Sequence, residues 1–179
     1  MDKLPQTSHQ RLRTAIGWLE LGNFSEAVEE LERLQPAVQR HPLVLKTRWS
    51  ILAASKKWTA ALKVSRTMTE LLPNRADAWI LHANTLYGAG EIEAAYELAR
   101  EKARRFRCNW ELHYHLAHYA CRLGKIEEAE RWLEYAIELG NDGEQREIRW
   151  KAWQDQGLRA LWGRPTKLAE STISSIEAG

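Results

Sequence analysis

"LGNFSEAVEE" occupies residues 21–30, and altered copies of it return three times. "SKKWTAALKV" runs 55–64, "AGEIEAAYEL" 89–98 and "LGKIEEAERW" 123–132, each starting 34 residues after the one before. One aligned column holds Gly22, Lys56, Gly90 and Gly124. Two places on stand Phe24, Trp58, Ile92 and Ile126, and three further Ala27, Ala61, Ala95 and Ala129. The Gly column suits the left-handed position that ends a helix. The large apolar residue opens a second helix, and the Ala column lets that helix approach the first closely. A further column seven places before the Gly holds Ala15, Trp49, Ala83 and Ala117. The pattern predicts four helix-turn-helix units, 8–41, 42–75, 76–109 and 110–143, with no insertion.

This period and these columns resemble the tetratricopeptide repeat (TPR) family, whose 34-residue helix-turn-helix carries small residues at its close-packing positions. The resemblance covers residues 8–143. It implies an all-α fold, a right-handed α-solenoid of four antiparallel helix pairs, with a concave groove lined by the first helix of each pair. Several positions depart from the pattern. Trp49 replaces a small residue, so its helix pair must open or its indole turn aside. Lys56 replaces Gly, at a cost of about 1 kcal/mol if the site is left-handed. Pro36 falls inside the expected second helix of the first unit and should kink or end it near Leu34 or Gln35.

A stacked array needs a cap at its end. After residue 143, Ile148, Trp150, Trp153, Leu158, Leu161 and Trp162 give helical periodicity with a broad apolar face. One long capping helix over 144–162 is expected. Its indoles either cover the last repeat or, at Trp150, Trp153 and Trp162, form a surface for a partner or a second copy, so that a homodimer could form through this helix. Residues 1–7 are expected to be a flexible N-terminus and 163–179 a mobile tail.

Apolar residues make up 44% of the chain, enough for a core, and the charges nearly balance at a net +2. That balance argues against a dedicated nucleic-acid or membrane-surface binder. Two cysteines, Cys108 and Cys121, make no disulfide framework. No apolar N-terminal run suggests a secretory signal, and no stretch approaches the ~20 apolar residues that span a bilayer. A cytoplasmic setting without cofactor or metal is the expectation.

No Gly-rich phosphate loop, GxSxG, HExxH or CxxC motif is present. The one cluster with chemical potential is "ELHYHLAHYACR", residues 111–122. His115 and His118 lie one helical turn apart, whereas His113 falls in a column that packs between helices. Zinc would want three or four ligands, and Glu111 is the nearest carboxylate in sequence. A metal or catalytic site there is the third alternative for function.

The resemblance carries groove positions to this chain one at a time. They are Lys46, Thr47, Ser50 and Ala54 in the second unit, Leu81, Asn84 and Tyr87 in the third, and Tyr114, His115, His118 and Arg122 in the fourth. An Asn at the position of Asn84 commonly clamps a peptide backbone in the family, because its amide both donates and accepts. The Lys, Asn and Arg set with which chaperone-binding members hold a C-terminal carboxylate is broken by Ser50, Leu81 and Glu111. The implied function is a non-catalytic scaffold that holds a peptide or helix of another protein. A small secretion-type chaperone is the runner-up, disfavoured by the short N-terminal segment. The basic run "REKARRFR", 100–107, reads as a solvated helix face, with no aromatic stacking platform interleaved among its basic residues.

Overall fold

A computed structural model describes residues 4–163 and 167–177. The chain divides into two compact units, Met1–Ala89 and Gly90–Gly179.

The first unit holds α1 (Gln6–Glu20), α2 (Phe24–Glu32), α3 (Pro42–Ala54), α4 (Trp58–Leu71) and α5 (Ala76–Gly88). The turns between paired helices are built alike. Gly22 has φ 76° and Lys56 φ 56°, and each follows the helix it ends. The Gly22 N–H bonds to the Leu19 carbonyl and that of Asn23 to Trp18; Lys56 N–H bonds to Ala53 and Lys57 N–H to Leu52. These paired bonds satisfy carbonyls that a helix end leaves orphaned. Ala15, Ala27 and Ala61 are fully buried, so nothing larger than a methyl group separates the helices there.

Pro36 stops α2 earlier than the sequence suggests, at Glu32, and opens a 3-10 turn over Pro36–Val38. Gln39 makes up the lost backbone bonds: its Nε2 donates to the carbonyls of Leu31 at 2.8 Å and Leu34 at 3.0 Å. Trp49 resolves its conflict by turning aside, its Nε1 donating to Thr85 Oγ1 at 2.7 Å. The Trp58 ring lies flat on α5, where a Cβ at Gly88 would come within 2.7 Å of Trp58 Cζ2. Leu4 is 7% exposed and belongs to the core with Leu12, Leu31 and Ile51. The flexible N-terminus expected over 1–7 is therefore corrected: residue 4 is buried and α1 starts at Gln6, while residues 1–3 lie outside the described residues.

The second unit holds α6 (Ile92–Ala103), α7 (Trp110–Arg122), α8 (Ile126–Leu139), α9 (Asp142–Gln154), α10 (Arg159–Trp162) and α11 (Lys167–Glu177). Gly90 and Gly124 occupy the left-handed turns, at φ 89° and 74°. Ala95, Ala117 and Ala129 are fully buried. The starts of α2, α4, α6 and α8, at 24, 58, 92 and 126, keep the 34-residue interval.

The C-terminal region differs from expectation in three ways. In place of one capping helix over 144–162, α9 ends at Gln154, a 3-10 turn covers Gln156–Leu158, and α10 follows. Asp155 causes the break: its Oδ1 accepts from the Gly157 N–H at 2.8 Å, a local side-chain bond that competes with the helix ladder. In place of a wholly mobile tail, residues 167–177 form α11, packed on α9. Arg149 Nη1 fastens it, donating to Ser171 Oγ at 3.0 Å and Thr172 Oγ1 at 3.2 Å. The expected apolar face is also split. Ile148, Leu158 and Leu161 are buried, but Trp150 is 50% and Trp153 40% exposed.

Candidate functional site

The side chains with chemical potential gather on α7. Asn109 caps that helix, its Oδ1 accepting from Leu112 N at 2.8 Å, and its carbonyl takes His113 Nδ1 at 2.8 Å. His113 is thus a buried structural group, and burial depresses its pKa against the lift of that backbone bond.

Tyr114 and His118 stand one turn apart and converge on a single atom. Tyr114 OH donates to Asp155 Oδ2 at 2.8 Å, and His118 Nδ1 lies 2.8 Å from the same oxygen. With Gly157 N–H on Oδ1, both oxygens of Asp155 are engaged. Burial alone would raise this carboxyl; the His118 hydrogen bond and charge, the Tyr114 hydroxyl and the Gly157 N–H outweigh it and hold the group at about 2. Asp155 is therefore an acceptor at neutral pH, which makes Nδ1 the protonated nitrogen of His118. Burial, together with the hydrogen bond and negative charge of Asp155, pushes the Tyr114 hydroxyl well above its ordinary range.

The surrounding groups complete the seat. The ammonium of Lys151 lies 4.7 Å from the centre of the Tyr114 ring and 5.8 Å from that of Trp110, within cation–π range. His115 stacks beside Tyr119, centroids 6.0 Å apart and planes 25° from parallel. Burial, then the charges of Lys151 and His118, push His115 down to about 3 against the pull of Asp155. Cys121 is buried; burial raises its thiol, and a hydrogen bond with the Ala160 backbone partly offsets this.

The eleven groove candidates divide between the two compact units. On α7, Tyr114 and His118 come together at Asp155 and do not line an open groove. The chain's own segment from Asp155 onward lies on them, which corrects the expectation for these two positions. Arg122 is exposed. In the first unit Lys46 is exposed, whereas Thr47 and Leu81 are buried. The hydroxyls of Thr47 and Ser50 donate to carbonyls of their own helix, Leu43 and Lys46. Asn84 and Tyr87 are half-buried on α5. Asp155, Gly157 and Lys151 were not foreseen. The "DQG" interruption at 155–157 was the only sequence signal for them. Glu111, the nearest carboxylate in sequence, is not the one that meets the histidines.

Among the described residues, no three His, Cys, Asp or Glu side chains gather as a metal site, and no helix is long and apolar enough to cross a membrane.

Helix pairs closed by left-handed turns at a 34-residue interval, with buried alanines at the crossings, define an α-solenoid of tetratricopeptide type. Solved structures carry the same fold. MamA from residue 41 onward, of Desulfovibrio magneticus RS-1, is similar with a TM-score of 0.64 at 15% identity, covering 98% of this chain and 94% of that one. A thermophilic TPR protein of Thermus thermophilus gives a TM-score of 0.60 at 17% identity over 95% and 99% of the two chains. A Podospora anserina kinesin-light-chain protein of nearly identical TPR-like repeats gives 0.66 at 16% identity over 98% and 96%. No protein-family model matches the sequence, and no curated protein matches it.

Proposed function

We propose that the protein is a non-catalytic scaffold that holds a segment of a partner protein, and that the α7 face of the second unit is one of its seats. The observation that carries this reading is the grip on Asp155: an extended residue held by a tyrosine hydroxyl and an imidazole, followed two places on by a glycine pressed to the imidazole. A segment with a carboxylate and a small residue at that spacing would satisfy the same donors. The chain's own 155–162 segment then acts as a resident occupant that a partner must displace. Lys46, Asn84, Tyr87 and Arg122 are further candidate contacts by resemblance. Self-association through α9 belongs to the same reading, supported by the exposure of Trp150 and Trp153.

A fluorescent peptide spanning residues 151–162, titrated against the full chain, tests this. Asp155→Ala together with Gly157→Leu should open the seat, so that the peptide binds this variant and binds wild type far more weakly. Adding His118→Ala should cut the affinity at least about tenfold, the loss expected for a buried charge-assisted hydrogen bond. A peptide that ignores the opened variant, or binds it equally without His118, would defeat the proposal.

A further inference from the structure

The basic run at the end of α6 exposes its arginines, and they border a cleft. Between α6 and α8 the second unit has two adjoining cavities of about 480 and 450 Å³, which share Arg100, Trp132 and Tyr135 as lining. Arg131 lines the first cavity and Arg104 and Arg107 the second. Phe106 lies inside the run, but the rings that line both cavities come from another helix. Trp132 and Tyr135 stand at i and i+3 on α8, and buried His113 of α7 braces both. Its ring meets Tyr135 edge-on at 4.8 Å and lies tilted to Trp132 at 5.7 Å. Tyr135 is 38% exposed. The absence of an aromatic platform, expected from the sequence, is thereby corrected.

The charges are unevenly spent. Arg100 pairs with Glu97 at 2.6 Å, and Glu128, the carboxylate of the first cavity, accepts the Tyr96 hydroxyl. No ion pair to a carboxylate exists for Arg104, Arg107 or Arg131 among the described residues. Among the described residues, no carboxylate lines the second cavity. A solvated helix face would explain scattered arginines. It does not explain three guanidinium groups without an ion pair to a carboxylate around a cleft floored by a half-exposed Trp and Tyr, where like charges repel and apolar rings stay wet.

Guanidinium groups bind phosphate through two parallel hydrogen bonds, and aromatic faces stack bases without regard to sequence. By their linings, the order along the cleft is Arg131 in the first cavity, then the shared Trp132, Tyr135 and Arg100, then Arg104 and Arg107 in the second. A planar group on the shared rings would thus have cations on both sides. An internal nucleotide of a single strand, with a phosphate before and after its base, fits that order. A phosphorylated tyrosine or a mononucleotide carries its phosphate on one side only. We infer that the cleft between α6 and α8 binds single-stranded nucleic acid, with a base on Trp132 and Tyr135 and flanking phosphates on Arg131 and on Arg104 and Arg107. This site is independent of the peptide seat on α7.

Fluorescence anisotropy of labelled decauridylate and decathymidylate with the full chain tests it, with a phosphotyrosine peptide and uridine monophosphate alongside. Binding should quench indole fluorescence and weaken with salt, with a log–log slope near −2 for about three phosphate contacts. The two labelled strands tell RNA from DNA. Arg104→Glu with Arg107→Glu, both exposed and so harmless to folding, should weaken binding at least about tenfold; Trp132→Phe should keep it and Trp132→Leu lose it. Absence of strand binding at about 50 mM salt, where such contacts are strongest, would overturn the inference. So would binding indifferent to the double arginine variant, or tighter binding of the phosphotyrosine peptide than of either strand.

Discussion

Gly157 lies flat against the imidazole of His118: a Cβ there would come within 2.7 Å of both ring nitrogens. Only a residue without a side chain lets Asp155, two positions earlier, reach His118 and Tyr114 together. Gly157→Val should therefore lift the 155–162 segment from α7, at a cost of roughly 1–3 kcal/mol in the second unit, the range for overpacking a filled site. Hydrogen exchange would report it as faster exchange of the amides at positions 157 and 158, with the α3 and α4 amides unchanged. Protection retained across 155–162 would mean that the contact is incidental.

Asp155 and His115 tie the same region to pH, in one direction but in different windows. His115 is a base depressed from 6.5 to about 3 in the folded chain. Between those values the unfolded chain binds more protons, so stability is full above about 6.5 and falls as pH drops towards 3. The loss from this group between pH 7 and pH 5 should reach about 2 kcal/mol. Asp155 is an acid depressed from 3.8 to about 2, so its contribution persists above 3.8 and disappears as pH falls to 2. Urea denaturation at pH 7, 6 and 5 should show the midpoint falling in wild type, and less steeply in His115→Gln. His82 and His113, also depressed by burial, will keep some slope in that variant. Equal slopes in the two proteins would show that His115 titrates as an open histidine.

Lys56 sits at φ 56° in a turn where the other three repeats use Gly. The bonds of Lys56 N–H to Ala53 and of Lys57 N–H to Leu52 match those at the turns of Gly22 and Gly124, so the chain accepts a left-handed lysine to keep the motif. Lys56→Gly should raise stability by about 0.5–1 kcal/mol, the relief of the left-handed strain less the extra freedom of Gly in the unfolded chain. Gly90→Ala, at φ 89°, should lower it by a similar amount. Chemical denaturation midpoints of the two variants, displaced in opposite directions, check both. A destabilising Lys56→Gly would mean that the lysine side chain contributes more than its backbone costs.

These positions also mark how far the sequence could be read. The turn glycines and crossing alanines were legible because the repeat prints them four times, and a backbone conformation or a methyl-sized gap admits few residues. The seat on α7 was half legible. The resemblance named both Tyr114 and His118, while helical spacing paired His118 with His115 instead, and Asp155 lies 37 residues from His118, in a stretch with no repeat to give its register. A single carboxylate that leaves a helix through its own Asx turn produces no periodic signal. The aromatic floor of the cleft between α6 and α8 was hidden for a similar reason. Arg104 lies just past the end of α6 and Trp132 on α8, and closeness in space need not be closeness in sequence.

Trp150 and Trp153 carry the last consequence. Ile148 and Ala152 turn the buried side of α9 inward, which leaves two large indoles 50% and 40% exposed; Trp153 meets Trp162 with centroids 5.5 Å apart. Exposed rings packed on a helix offer much apolar area at little entropic cost, a combination typical of association surfaces. If they pair two copies, sedimentation velocity should show the apparent mass rising with concentration in wild type. Trp150→Ser with Trp153→Ser should remain monomeric at every concentration. Because both side chains are already half in water, the melting temperature of the dilute variant should change little, which separates lost association from lost folding. A wild-type chain that stays monomeric throughout would leave these indoles to a different partner and remove self-association from the protein's function.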